Sequence, residues 1–131
     1  MRSLLTDTTT AALEKALDGA AVRQRTVASN LANMDTPNYR PRRVEFEQQL
    51  RAALKAAEEE DLTTQIAAVE RVQPDQVTYS GPALRRDGNA VDIETEMSEL
   101  AQSGLQYQTL IRLLSKKLQI LRSVATEGGK L

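Results

Sequence analysis

The stretch Ile93–Ala125, IETEMSELAQSGLQYQTLIRLLSKKLQILRSVA, decides the fold. Ile93, Met97, Leu100, Gly104, Tyr107, Ile111, Leu114, Leu118, Leu121 and Ala125 follow one another at alternating gaps of four and three. That spacing places them on one face of an α-helix, and the seven-residue repeat is the pattern of a coiled-coil seam. Gly104 alone brings no apolar side chain. Asp92 is a capping residue before the first turn. Glu94, Glu96 and Glu99 suit the positive end of the helix, Lys116, Lys117 and Arg122 the negative end, and Gly128-Gly129 stops it. At ~1.5 Å per residue the helix is roughly 50 Å long, beyond ordinary globular lengths.

A second stripe runs beside the first. Leu110, Leu113, Ile120 and Val124 occupy the neighbouring face, with Lys117 in the remaining slot. The apolar band is therefore wider than one partner helix covers; an exposed band of that width marks an association surface, the alternative being that the middle of the chain folds back and covers it.

A partner for the first stripe lies at the other end of the chain. Between about Asp7 and Met34, the residues Leu13, Leu17, Ala20, Gln24, Val27, Leu31 and Met34 repeat the four–three spacing, with one polar interruption at Gln24. Ala16, Ala21, Ala28 and Ala32 flank them and permit close approach of another helix. Pro37 ends this helix near Asn33, because its ring disfavours helical geometry at Thr36. The expected class is mainly α. Long N- and C-terminal helices (1–39 and 92–131) form a coiled-coil assembly unit around a loop-rich middle, 40–91.

In that middle, Phe46, Leu50, Leu54 and Ala57 predict a short helix from about Val44 to Glu60. Glu58-Glu59-Glu60-Asp61 is a solvated end, since consecutive helical carboxylates point in different directions. Ile66–Val72 and Gln76–Tyr79 are expected to be short strands or extended chain. Pro74, Gly81-Pro82 and Asp87-Gly88-Asn89 punctuate them as turns.

Composition narrows the chemistry. Among 131 residues there is no Cys and no His, which removes disulfides, thiolate nucleophiles, Cys/His zinc sites and imidazole bases. Aromatics make up only 3% against 40% hydrophobic residues, so Leu, Ala, Val and Ile must fill the interior, as in helix seams. The net charge of −1 gives no field for nucleic acid, and Arg40, Arg42 and Arg43 are followed at once by Glu45 and Glu47. Asp35, Asp87 and Asp92 have simpler roles as turn or cap residues than as catalytic acids. No enzyme activity, cofactor, metal or small-molecule substrate is expected. No apolar run reaches a membrane-span length, and Met1–Thr10 lacks the apolar core of a cleaved secretory signal.

The exit of the first helix has its own chemistry. In Ala28-Ser29-Asn30-Leu31-Ala32-Asn33-Met34-Asp35-Thr36-Pro37-Asn38-Tyr39-Arg40, Asn30 and Asn33 share a face and can tie down freed carbonyls or a neighbouring loop. Asn33 or Met34 is the expected C-cap, where Asn tolerates the left-handed conformation. Thr36-Pro37-Asn38-Tyr39 reads as a type II turn with Asn38 at positive φ, delivering Tyr39 as an anchor on the helices.

This segment resembles the signature of the axial proteins of the bacterial flagellum, the rod and hook family, at Ser29, Asn30, Ala32, Asn33, Thr36, Pro37, Asn38 and Tyr39. Arg42-Arg43-Val44-Glu45-Phe46, and Asp87 through Glu94 with Glu96-Met97, look like the proximal rod type of that family. Ser29 stands where the family often has Asn, and Asn38 where Gly is usual. The stretch 57–86 carries no resemblance. The resemblance implies a structural rod subunit that leaves the cytoplasm through the flagellar type III export apparatus and stacks in the periplasm. Its implied partners are copies of itself, other rod proteins, the basal adaptor subunit of the membrane ring and the export apparatus. Amphipathic helices alone are equally those of a self-contained helical-bundle binding module or a secretion chaperone.

Overall fold

A computed structural model describes residues 7–128. Its elements, in chain order, are α1 (Thr8–Ala32), β1 (Arg42–Glu45), α2 (Glu47–Ala56), α3 (Leu62–Glu70), β2 (Asp75–Thr78) and α4 (Ile93–Gly128). The class is mainly α, as the periodicity requires. α1 begins where Asp7, in extended geometry, accepts the Thr10 amide at 2.8 Å. It ends at Asn33, whose backbone N–H closes the last turn. Asn33 has φ −100 and ψ 15, so the expected left-handed cap is not used there.

α4 is 36 residues, about 54 Å at the helical rise. Asp92 starts it, accepting the Glu94 amide and the Thr95 hydroxyl at 3.2 and 2.8 Å. α1 and α4 run antiparallel. Asn30 meets Glu96 near one end, Arg23 reaches Gln106 in the middle, and Asp7 holds Lys117 near the other.

The middle of the chain is more structured than a loop-rich segment. Strands β1 and β2 pair antiparallel, with Arg42 opposite Thr78 and Glu45 opposite Asp75. Between them, α3 packs on α1, and α2 packs on α3. Two expectations need correcting here. Ile66–Val72 is largely helical, because Leu62, Ile66 and Val69 recur at i, i+4 and i+7 behind Asp61, the residue that precedes the helix. The short helix begins only at Glu47, since Val44 is drawn into β1 by pairing with Gln76 on a distant strand. That pairing is long-range, and local spacing does not encode it.

The core is small and lies between α1 and this middle module. Ala11, Ala20, Val27, Val44, Phe46, Ala57, Val69, Val72, Ala90 and Val91 are buried. Val69 is fully enclosed, a burial that contributes about 1.5–3 kcal/mol. Phe46 lies against Gly19, where a Cβ would fall 2.2 Å from the ring. The absent side chain of Gly19 is thus the seat for the chain's single Phe. Arg23 closes this joint. Its guanidinium sits 5.5 Å from the Phe46 ring centre, donates to Val44 O at 3.1 Å and pairs with Glu47.

Candidate assembly surface

α4 does not turn its most apolar row towards α1. Its only buried residues among those described are Glu96 and Ser103. Together with half-buried Leu100, Tyr107, Leu110, Leu114, Lys117 and Leu121 they form the inward row, again spaced four and three. Leu100, Tyr107, Leu114 and Leu121 belong to the expected seam. Ile93, Met97, Ile111 and Leu118 do not take part in the pairing and are 44, 53, 40 and 47% exposed. The places of Met97, Gly104, Ile111 and Leu118 are taken by Glu96, Ser103, Leu110 and Lys117, each one residue earlier. The helix is thereby rotated about 50°, half of one residue's angular step.

The second stripe divides as well. Leu110 faces inward, whereas Leu113, Ile120 and Val124 are exposed on the opposite flank from Met97 and Ile111. On α1 the seam residues face the interior more consistently: Val27 is buried, and Leu13, Leu17 and Leu31 are half-buried. The two irregular positions meet, since a Cβ on Gly104 would lie 3.7 Å from Gln24 Nε2. The long amide occupies the space that glycine leaves.

The polar exit of α1 organises the other end. Asn30 is fully buried, and its amide uses all of its hydrogen-bonding capacity. Nδ2 donates to Arg42 O at 2.8 Å and to Glu96 Oε2 at 3.0 Å. Oδ1 accepts from Arg42 N at 3.0 Å and from the Tyr39 hydroxyl at 2.9 Å. The side chain thus pairs with Arg42 as a neighbouring strand would and closes the outer edge of β1 there. Glu96, also fully buried, faces Arg43 Nη1 with Oε1 at 2.6 Å. From the sequence Glu96 is one of three acids suited to the positive end of the helix; in the fold it is the acceptor at the centre of this joint. The sequence places Arg43 in a basic run and in the block after the exit motif but assigns it no contact with α4, because nothing local shows that its side chain reaches Glu96.

The two motif blocks, far apart in sequence, are in contact. Thr36–Tyr39 forms the expected turn, with Tyr39 N donating to Thr36 O at 3.3 Å and Asn38 at φ 61. Against it lies the loop Asp87-Gly88-Asn89. Asn38 N donates to Asp87 O at 3.0 Å, and Ala90 N to Tyr39 O at 3.1 Å. Buried Asn89 donates to the carbonyls of Asn33, the helix cap, and Thr36, the start of the turn, at 3.0 and 2.8 Å. Asn33 Nδ2 returns to Ser29 O at 2.8 Å, and Thr36 Oγ1 donates to Asn33 Oδ1 at 3.1 Å. The Asn89 backbone amide holds the Asp87 carboxyl below its usual range. Ala32, Pro37 and Asn38 remain exposed. This cluster offers buried, satisfied amides and no nucleophile with a base beside it. Among the described residues no acidic group is arranged to hold a metal ion.

A helix pair locked at one end by buried amides, with apolar rows left open along its length, is the arrangement of a structural subunit. A family model described as "Flagella basal body rod protein" matches residues 12–40, the whole exit motif included. The chain is 34% identical over 122 residues to the flagellar basal body rod protein FlgB of Bacillus subtilis, covering 90% of this chain and 92% of that one. It is 30% identical over 133 residues to the FlgB of Escherichia coli (88 and 91%) and 28% over 105 residues to that of Borreliella burgdorferi (72 and 78%). The chain belongs to the FlgB family of flagellar basal body rod proteins.

Proposed function

We propose that this chain is a structural subunit of the flagellar basal-body rod that polymerises through the exposed apolar rows of α4. The observation that carries the reading is the arrangement of Ile93, Met97, Ile111 and Leu118 on one flank of α4 and Leu113, Ile120 and Val124 on the other. α1 occupies the row between them. A monomer leaves both flanks in water, and an isolated pair of helices has no use for either. Two flanks on one subunit allow contacts with two different neighbours, and such heterologous contacts build open helical tubes instead of closed rings.

In this reading the regions 1–39 and 92–131 act together as the assembly unit, and Ser29, Asn30, Ala32, Asn33, Thr36, Pro37, Asn38 and Tyr39 fix its shape. The partners are further copies, other rod proteins and the adaptor subunit of the membrane ring, reached after passage through the flagellar type III export apparatus. No catalytic step is involved.

The test is made in the bacterium, with the gene carrying Ile111→Asp, Leu113→Asp or Leu118→Asp. Each places a charge in an exposed apolar row while leaving the fold intact. The expected result is export of a stable subunit without rods in isolated basal bodies. Complete rods with all three variants would overturn the assignment of α4 as the packing helix.

A further inference from the structure

We propose that two polar clamps, and not the apolar pattern of α4, select its rotation against α1 and hold its more apolar row outward. One clamp is the fully buried Glu96, gripped by Asn30 Nδ2 at 3.0 Å and by Arg43 Nη1 at 2.6 Å. The other is Lys117 Nζ, 2.6 and 2.7 Å from the two oxygens of Asp7. They lie 21 residues apart on α4, three heptads, so both fall in the inward row.

The chain's own sequence encodes a competing arrangement. Rotating α4 by about 50° would replace Glu96, Ser103, Leu110 and Lys117 with Met97, Gly104, Ile111 and Leu118 in the row facing α1. Hydrophobic burial by itself favours that exchange. Against it stands the electrostatics of the ends. Rotation pulls Glu96 from Asn30 and Arg43 and separates Lys117 from Asp7, breaking the buried hydrogen bond from Asn30, the charge pair with Arg43 and the end pair at once. Polar groups that cost stability yet fix helix register are a known use of such residues. Here they fix rotation and keep Met97, Ile111 and Leu118 available on the surface. The bearing of this device on assembly rests on the function proposed above; the rotation itself does not, and the two are tested by different readouts.

The chain contains no cysteine, so single thiols report without background. Met97→Cys probes the outward row, and Ser103→Cys probes the inward row, where the native side chain is 1% exposed. With the clamps intact, maleimide labelling of the purified chain should be roughly tenfold faster at position 97 than at 103. With Arg43→Ala and Asp7→Ala added, Glu96 and Lys117 are left unpaired inside, and the ratio should fall to about one or invert. An unchanged ratio in a chain that keeps its helical circular dichroism overturns the proposal.

If that combination loses its helicity, the exposed far clamp decides. Asp7→Lys should lower the labelling ratio of Ile111→Cys to Leu110→Cys by roughly threefold, and adding Lys117→Asp should restore it. Failure to fall, or failure to recover, overturns the proposal equally.

Discussion

Asn30 and Glu96 are both fully buried and hydrogen-bonded at 3.0 Å, although 66 residues separate them in sequence. This contact joins the end of α1 to the start of α4. Through Arg42 and Tyr39 the same amide also fixes the first residue of β1 and the turn before it. One side chain therefore sets the relation of three elements.

Removing that amide should be costly. Asn30→Leu leaves the Arg42 N–H, the Tyr39 hydroxyl and one Glu96 oxygen without their partner, and leaves Arg42 O only the Arg43 guanidinium at 3.2 Å. A loss of roughly 2–4 kcal/mol is expected, from unsatisfied buried groups including a charged one. Urea unfolding measures it. A change below about 0.5 kcal/mol, the range of ordinary surface substitutions, would contradict the central role assigned to Asn30.

Gly19→Ala tests the seat of Phe46. Replacing a helical Gly with Ala ordinarily stabilises by about 1 kcal/mol. Here the added Cβ would lie 2.2 Å from the Phe46 ring, so the sign should reverse, with a net loss of about 1–3 kcal/mol from overpacking. Combining Gly19→Ala with Phe46→Leu should cost less than the sum of the two separate changes. Simple additivity in thermal unfolding would argue against direct contact.

Asn38 carries the one positive φ among non-glycine residues described, at 61°. Asn38→Val should cost about 1–2 kcal/mol, because a β-branched side chain collides with its own backbone in the left-handed region. Asn38→Gly should fall within about 0.5 kcal/mol of the parent, since glycine accepts that φ freely. Chemical denaturation of the pair separates backbone strain from loss of a side chain.

The Asp7–Lys117 pair predicts an acid limb. Its hydrogen bond to Lys117 is the largest influence holding the Asp7 carboxyl low, at about 2 against an ordinary 3.8. A depressed carboxylate contributes its full stability above the unfolded value and loses it as pH falls through the folded one, here between about pH 4 and 2. Asp7 is largely exposed, so after solvent screening the contribution is at most about 1 kcal/mol. Asp7→Asn should flatten the corresponding part of the stability–pH curve. A parent and variant with parallel curves over that window would remove the clamp from the list of stabilising contacts.

Leu114 and Leu118 should behave differently, although they are successive positions of the same apolar repeat. Leu114 is half-buried against α1, and Leu114→Asp should destabilise the isolated chain by about 2 kcal/mol or more. Leu118 is 47% exposed, and Leu118→Asp should cost less than about 1 kcal/mol while still blocking assembly. Equal losses in the purified monomer would show that the inward row is not the one described.

What the sequence determined by itself is local and periodic. The two long helices, their starts at Asp7 and Asp92, the exit at Asn33 and the positive φ of Asn38 all follow from short-range rules of capping, turn chemistry and spacing. The helix 62–70 is not read this way: its i, i+4, i+7 pattern is present, but the sequence reading expects Ile66–Val72 to be a strand or extended chain. The tertiary structure alone decided which face of α4 meets α1. Periodicity defines a stripe but not its partner, and part of the strongest apolar stripe, Ile93, Met97, Ile111 and Leu118, faces outward. Glu96 is buried because Asn30 and Arg43 converge on it from segments 66 and 53 residues away, and no local pattern records that convergence. Burial of apolar surface is non-directional and leaves the rotation of a helix nearly free, whereas a hydrogen-bonded buried charge has a required direction; that difference is why the rotation became visible only in the assembled fold.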